Sequence, residues 1–82
     1  MRIDKFLNAV NITKRRTVAQ DMIESGVVSI NGHVVKASKN VAVGDVIAIA
    51  YLKGEQRYEV LQIPVTKSTP KSQQHEYVKE LN

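Results

Sequence analysis

Residues 23–32 read Ile-Glu-Ser-Gly-Val-Val-Ser-Ile-Asn-Gly and contain both the end of a helix and the start of a β-hairpin. Gly26 is typical of a helix C-terminus, because glycine readily takes the left-handed backbone conformation found there. The residues after it alternate with the period of two that a strand requires. Asn31-Gly32 then predicts a type I′ turn, in which both central residues need a positive φ. We therefore expect Ile30 to lie opposite His33 in the hairpin.

Two helices are predicted before this stretch. Apolar residues between positions 3 and 10 recur at helical spacing, and Asp4 is expected to cap the backbone N–H groups at the start of this first helix. After a break, Thr13 is the expected N-cap of a second helix that runs to about Ser25. An apolar stripe on this second helix predicts that one side of it faces the core.

Two more strands are predicted after the hairpin, in the apolar run 46–52 and in the partly alternating segment 57–65. The composition changes at Thr66, where a polar stretch has the character of a flexible linker. We therefore predict a single domain over 1–65 and a flexible polar tail over 66–82, with at most a marginal helix near its end.

The composition excludes several classes of protein. The 82 residues are enough for one domain, and the absence of cysteine excludes a disulfide framework and a thiolate metal site. No signal peptide is evident, and no run approaches the roughly 18 apolar residues that span a membrane. We expect a cytoplasmic protein with no membrane association.

The positive charge is concentrated in the first two-thirds of the chain. Residues 1–53 contain eight basic and four acidic residues, whereas 54–82 contain four of each, so the net charge of +4 lies in the first segment. A localised basic surface is typical of a nucleic-acid-binding protein. A solvated surface that only keeps the protein soluble explains the charge equally well.

Lys14-Arg15-Arg16 is the densest basic cluster. Cations in the first turn of a helix oppose its dipole, at a cost of roughly 0.3–1 kcal/mol each. Such a placement is favourable if an external anion binds there, and RNA phosphates fit this description better than an unoccupied patch does. Arg2 and Lys5 would extend this surface if the two helices pack together. Asp4 either forms a cap or ion pair, which we favour, or accepts a hydrogen bond from RNA.

A second basic segment, Lys36 to Lys39, follows the hairpin and by itself resembles an ordinary solvated loop. Enzyme chemistry is not indicated, because the two histidines have no nucleophile nearby and no glycine-rich phosphate loop is present. We expect no catalytic residue, metal or cofactor. Four aromatic residues are too few for a base-stacking platform, which favours binding to the backbone of folded RNA.

The ordered motifs of residues 1–52 resemble the S4 RNA-binding domain. They are Arg2-Ile3-Asp4-Lys5-Phe6-Leu7, Lys14-Arg15-Arg16-Thr17, residues 23–32, Lys36-Ala37-Ser38 and Val43-Gly44-Asp45. The family pattern often has serine where Thr17 keeps the hydroxyl. The resemblance implies an α+β S4 fold, with an αα hairpin packed on a small antiparallel sheet. Carried over by motif, the RNA-binding residues are Arg2, Asp4, Lys5, Lys14, Arg15, Arg16, Lys36, Ser38 and Lys39.

Within this family, the short chain resembles ribosome-associated quality-control factors. That resemblance implies a monomer that binds large ribosomal subunits obstructed by peptidyl-tRNA, contacts 23S rRNA and the tRNA, and supports alanine tailing beside an alanine-tailing factor. S4-type heat-shock proteins of the fifteen-kilodalton class, which recycle such subunits, are an alternative, although their longer basic C-terminal extension is missing here. A protein–protein adaptor is a third possibility.

Overall fold

The computed structural model describes residues 1–66 and 68–81 and begins with two short helices, α1 (Ile3–Ala9) and α2 (Arg16–Glu24). The predicted end of α2 is confirmed. Gly26 has a φ of +78°, and its N–H bonds to the Ile23 carbonyl at 3.0 Å while that of Val27 bonds to Met22. This is the paired hydrogen-bond pattern of a Schellman C-cap. In the described part of the chain, no helix is long and apolar enough to cross a membrane.

The start of α2 differs from the prediction. Thr13 is not the N-cap; Arg15 occupies that position in an extended conformation, without a side-chain cap bond. The chain between the helices first turns back on α1, where the N–H groups of Ile12 and Thr13 both bond to the Leu7 carbonyl. Thr13 is buried there, and its hydroxyl donates to the Arg15 carbonyl at 3.2 Å. The helix therefore begins two residues later than expected.

The strands form one antiparallel sheet in the order β2-β1-β3-β4-β5. They are β1 (Val28–Ile30), β2 (His33–Val34), β3 (Val46–Tyr51), β4 (Gly54–Val60) and β5 (Val78–Glu80). The hairpin register is as predicted, with Ile30 opposite His33. Asn31 and Gly32 have φ values of +51° and +85°, as a type I′ turn requires. The expected αα hairpin and small antiparallel sheet of an α+β fold are confirmed.

A single apolar core joins the two helices to one face of the sheet. The residues of α1 at helical spacing, among them Ile3, Phe6 and Leu7, are fully buried. Alternate residues of β1 and β3 are also buried, as the two-residue period of a strand predicts. Burial of the inner face of α1 leaves its N-terminal end, with Arg2 and Lys5, at the surface of the domain.

The segment predicted to be a flexible tail is instead folded onto the domain. It contains a 3₁₀ turn (Lys71–Gln73), a short helix α3 (Gln74–Tyr77) and the edge strand β5, which pairs with β4. Val78 is buried in the core, and the Thr69 N–H and hydroxyl both donate to the Ala9 carbonyl at 2.9 Å. The segment is ordered because it buries Val78, packs Tyr77 against the core and supplies donors to the otherwise free C-terminal carbonyls of α1.

Candidate nucleic-acid interface

A buried carboxylate organises the basic surface at the N-terminal ends of the two helices. Asp4 has no solvent exposure, and its Oδ2 accepts hydrogen bonds from Arg2 Nη2 and Arg16 Nε, each at 3.2 Å. The same oxygen accepts from Gln20 Nε2 at 2.9 Å, and Oδ1 accepts from the Lys5 N–H at 2.8 Å. Asp4 thus fixes one arginine before α1 and another at the start of α2 on a common surface.

The surroundings of Asp4 keep its carboxylate charged. Burial by itself would raise the pKa of Asp4 and is the largest single influence. The hydrogen bonds from Gln20, from the Lys5 backbone and from Arg16, together with the positive charge of Arg16, outweigh it and lower the pKa below its ordinary value. The pairing with both arginines therefore persists at neutral pH.

The two arginines keep much of their binding capacity. Their side chains are about half exposed, at 46% for Arg2 and 44% for Arg16. A guanidinium has five N–H groups in a planar fork, and Asp4 accepts from only one nitrogen of each arginine, Nη2 of Arg2 and Nε of Arg16. The remaining groups are available to an external anion, for which a bidentate phosphate contact is the natural geometry.

Backbone hydrogen bonds attach the second basic loop to the same surface. The Ile3 N–H donates to the Lys39 carbonyl at 2.8 Å, and the Val41 N–H donates to the Met1 carbonyl at 2.9 Å. Lys39 also closes a tight turn by donating its N–H to the Lys36 carbonyl. The exposed side chains of Lys36, Ser38 and Lys39 thus lie beside the start of α1. We call this combined surface, Arg2, Lys5, Arg16 and loop 36–39, the basic face.

The remaining cations of the predicted cluster lie at the N-terminus of α2. Lys14 and Arg15 are exposed and precede the helix, so only Arg16 lies in its first turn. The first turn has no acidic residue, and its free N–H groups add positive potential to the basic face. The predicted placement of three cations in the first turn is therefore wrong, because the helix dipole opposes only Arg16, and the anion site stays a prediction.

The structure changes the interpretation of two residues in this region. Asp4, carried over from the family motif as an RNA-contacting residue, is buried and cannot reach RNA directly; the ion-pair interpretation is confirmed. It is also not the N-cap of α1, which is Arg2. Gln20 was missed as a partner of Asp4. Its position four residues after Arg16 places both on one side of α2, a spacing that reveals the pair once Asp4 is taken as their shared acceptor.

Comparisons with known proteins agree with this architecture. The S4 domain family model matches residues 1–47. A relative from Helicobacter pylori, the RQC P-site tRNA stabilizing factor, is 50% identical over 78 residues, which cover 95% of this chain and 93% of the relative.

Two solved structures share the whole fold. The solution structure of a hypothetical protein has a TM-score of 0.86 at 48% identity, covering all of this chain and 98% of its own. The trimeric heat shock protein 15 of Vibrio cholerae has a TM-score of 0.88 at 29% identity, covering 98% of this chain and 80% of its own. The family model matches more than half of this chain, and the Helicobacter pylori relative matches nearly all of it. The chain therefore belongs to the S4 domain family.

Proposed function

We propose that this chain is a cytoplasmic, non-catalytic RNA-binding factor that grips structured RNA through its basic face. The observation that carries the proposal is the convergence of Arg2 and Arg16 on the buried Asp4 carboxylate. A buried acid that orients two half-exposed arginines costs desolvation, and protein stability alone does not require such an arrangement. The arrangement is explained if the two oriented arginines bind an external phosphate.

The ligand we propose is the large ribosomal subunit obstructed by peptidyl-tRNA. The support comes from the Helicobacter pylori relative, whose name describes stabilisation of P-site tRNA and which matches nearly the full length of this chain. On this subunit the basic face would contact both 23S rRNA and the tRNA. By holding the tRNA in place, the chain would support alanine tailing by an alanine-tailing factor on the same particle.

The proposed action needs binding energy and no chemical step. Basic side chains that neutralise RNA phosphates release counterions, which supplies affinity that falls steeply with salt. A fixed arrangement of arginines then selects the spacing of phosphates in a folded RNA over that of a flexible strand. The rigid attachment of loop 36–39 to α1 supports this geometry, since the Lys39 carbonyl is held by the Ile3 N–H.

A heat-shock-type role in recycling obstructed large subunits is the second candidate. The TM-score of 0.88 to Vibrio cholerae heat shock protein 15 favours it. The two roles share a ligand and differ in their dependence on the tailing factor. Deleting the tailing factor should abolish the phenotype of losing this chain if it serves tailing, and should leave that phenotype unchanged if it serves recycling.

Co-sedimentation tests the proposed ligand. The purified chain is mixed with large subunits that bear peptidyl-tRNA and, separately, with empty large subunits. We expect it to migrate with the obstructed particles and to bind the empty ones more weakly, because the empty ones lack the tRNA that supplies part of the proposed contact. Absence of the chain from both particle fractions would contradict the proposal.

A further inference from the structure

A groove beside the basic face shares the side chains of loop 36–39 with it and extends beyond it to β2. It lies between β2 and loop 36–39, has a volume of about 570 Å³ and is open to solvent. Because the Lys39 carbonyl is bonded to the first N–H of α1, the groove opens next to the basic face. We call it the β2 groove.

The lining of the β2 groove combines an aliphatic interior with a cationic rim. Ile30 and Val35 form its inner part, and the Val34 side chain, which is 66% exposed, forms a wall. Lys36 and Lys39 stand at the rim. The lining also includes the Asp45 carboxylate, which accepts hydrogen bonds from Asn31 Nδ2 and the Ala42 N–H, so the groove keeps a net positive charge of one. A nucleobase has two flat apolar faces and is flanked by phosphates, so this combination matches one nucleotide better than it matches a polar or purely apolar small molecule.

Unused backbone groups of β2 add hydrogen-bonding capacity. In a hairpin with a two-residue turn, the residues that close the turn bond to each other, here Ile30 and His33. The next residue, Val34, therefore directs its N–H and carbonyl away from β1, along the free edge of the sheet. One donor and one acceptor at the edge of the groove can pair with the polar edge of a base.

We infer that the β2 groove receives one unpaired nucleobase, turned out of an RNA helix whose backbone lies on the basic face. The inference rests on the proposed function and adds to it a site for a single-stranded feature. An added peptide strand is disfavoured, because β2 has only two residues to pair with it and the rim carries positive charge. The small number of aromatic residues argues against a stacking platform but does not exclude this site, because the groove would contact the base through aliphatic side chains.

The test uses the full chain and two RNA hairpins that differ at one position. The first contains a single bulged 2-aminopurine nucleotide, and the second contains an abasic residue in the same place, so both carry the same phosphates. We expect the wild-type chain to bind the first hairpin about fivefold more tightly, the lower end of the range for bases stacked on aromatic side chains, because the groove offers aliphatic contact instead. We also expect 2-aminopurine fluorescence to change on binding, because the base leaves its stacked neighbours.

His33 also lines the groove, and both His33 and Val34 are exposed. The His33→Ala, Val34→Ala double variant should therefore fold normally, as circular dichroism would verify. The preference for the bulged hairpin should fall below about twofold in this variant. In Arg16→Ala both hairpins should bind more weakly while their ratio stays the same. Equal binding of the two hairpins by the wild type would overturn the inference, while a loss of affinity in Arg16→Ala in the same experiment would leave the proposed function standing.

Discussion

Replacement of Asp4 by asparagine tests how much the buried charge beneath the basic face contributes to the stability of the domain. Asparagine keeps the shape but retains a single acceptor oxygen, and its NH₂ group would meet the donors of Arg2, Arg16 and Gln20. Hydrogen bonds to charged groups contribute about 1.5–3 kcal/mol each. Arg2 and Arg16 are 46% and 44% exposed and can regain water, so most of the loss comes from Gln20 and the Lys5 N–H. We therefore expect Asp4→Asn to lower the free energy of unfolding by about 2–4 kcal/mol.

Urea unfolding followed by far-UV circular dichroism measures this change, and Asp21→Asn, an exposed position on α2, is the matched control. The pH dependence provides a second readout. The folded-state pKa of Asp4 is lowered, so its contribution is present above the unfolded value of about 3.9 and is lost as the pH falls through the folded value. The difference in free energy of unfolding between wild type and Asp4→Asn should therefore disappear below about pH 4. A loss under about 0.5 kcal/mol at neutral pH would refute the reasoning, since exposed substitutions change stability by that much.

Three further predictions concern the fold. Gly26→Ala should lower the free energy of unfolding by about 1–2 kcal/mol, as measured by urea unfolding. The reason is that a φ of +78° strains any residue with a Cβ, although no other atom would contact that Cβ. Val78→Ala should cost about 2 kcal/mol by the same assay, since Val78 is buried in the core, and Lys79→Ala on the exposed side of β5 should leave stability within about 0.5 kcal/mol. Sedimentation equilibrium should give the monomer mass of 9.2 kDa, and a trimer like that of the Vibrio cholerae relative would contradict this.

Local signals in the sequence were sufficient to predict the ends of elements that a specific turn or capping residue marks. Gly26 marked the end of α2, and Asn31-Gly32 marked the hairpin and its register. The start of α2 could not be predicted in this way. Thr13 is a good capping residue, but it is held against α1 by bonds to Leu7 and Arg15 that depend on tertiary structure. A cap preference of about 1 kcal/mol is easily overcome by such contacts.

The C-terminal segment is a larger example of structure that local sequence signals do not predict. Its polar composition predicts a flexible tail, yet the buried Val78, the pairing of β5 with β4 and the bonds from Thr69 to α1 hold it on the domain. Two residues in a polar stretch do not stand out in the sequence. For the candidate site, the resemblance to the S4 domain supplied the basic residues as a set, and their contact with RNA stays a prediction. The structure places Arg2, Arg16 and loop 36–39 on one surface. What the sequence could not give was the burial of Asp4, which changes it from a contact to a support for Arg2 and Arg16.

The salt dependence of binding to obstructed large subunits tests the central claim most directly. The wild type is compared with Arg16→Ala and Lys79→Ala, each of which lacks one exposed positive charge. Lys79 is the control, because it lies on β5, at the opposite edge of the sheet from β2. If the basic face grips RNA phosphates, Arg16→Ala should weaken binding and reduce the slope of log K against log salt by about 0.7–0.9, and Lys79→Ala should change neither. Slopes that are equal for wild type and Arg16→Ala, or reduced as much in Lys79→Ala, would contradict the account.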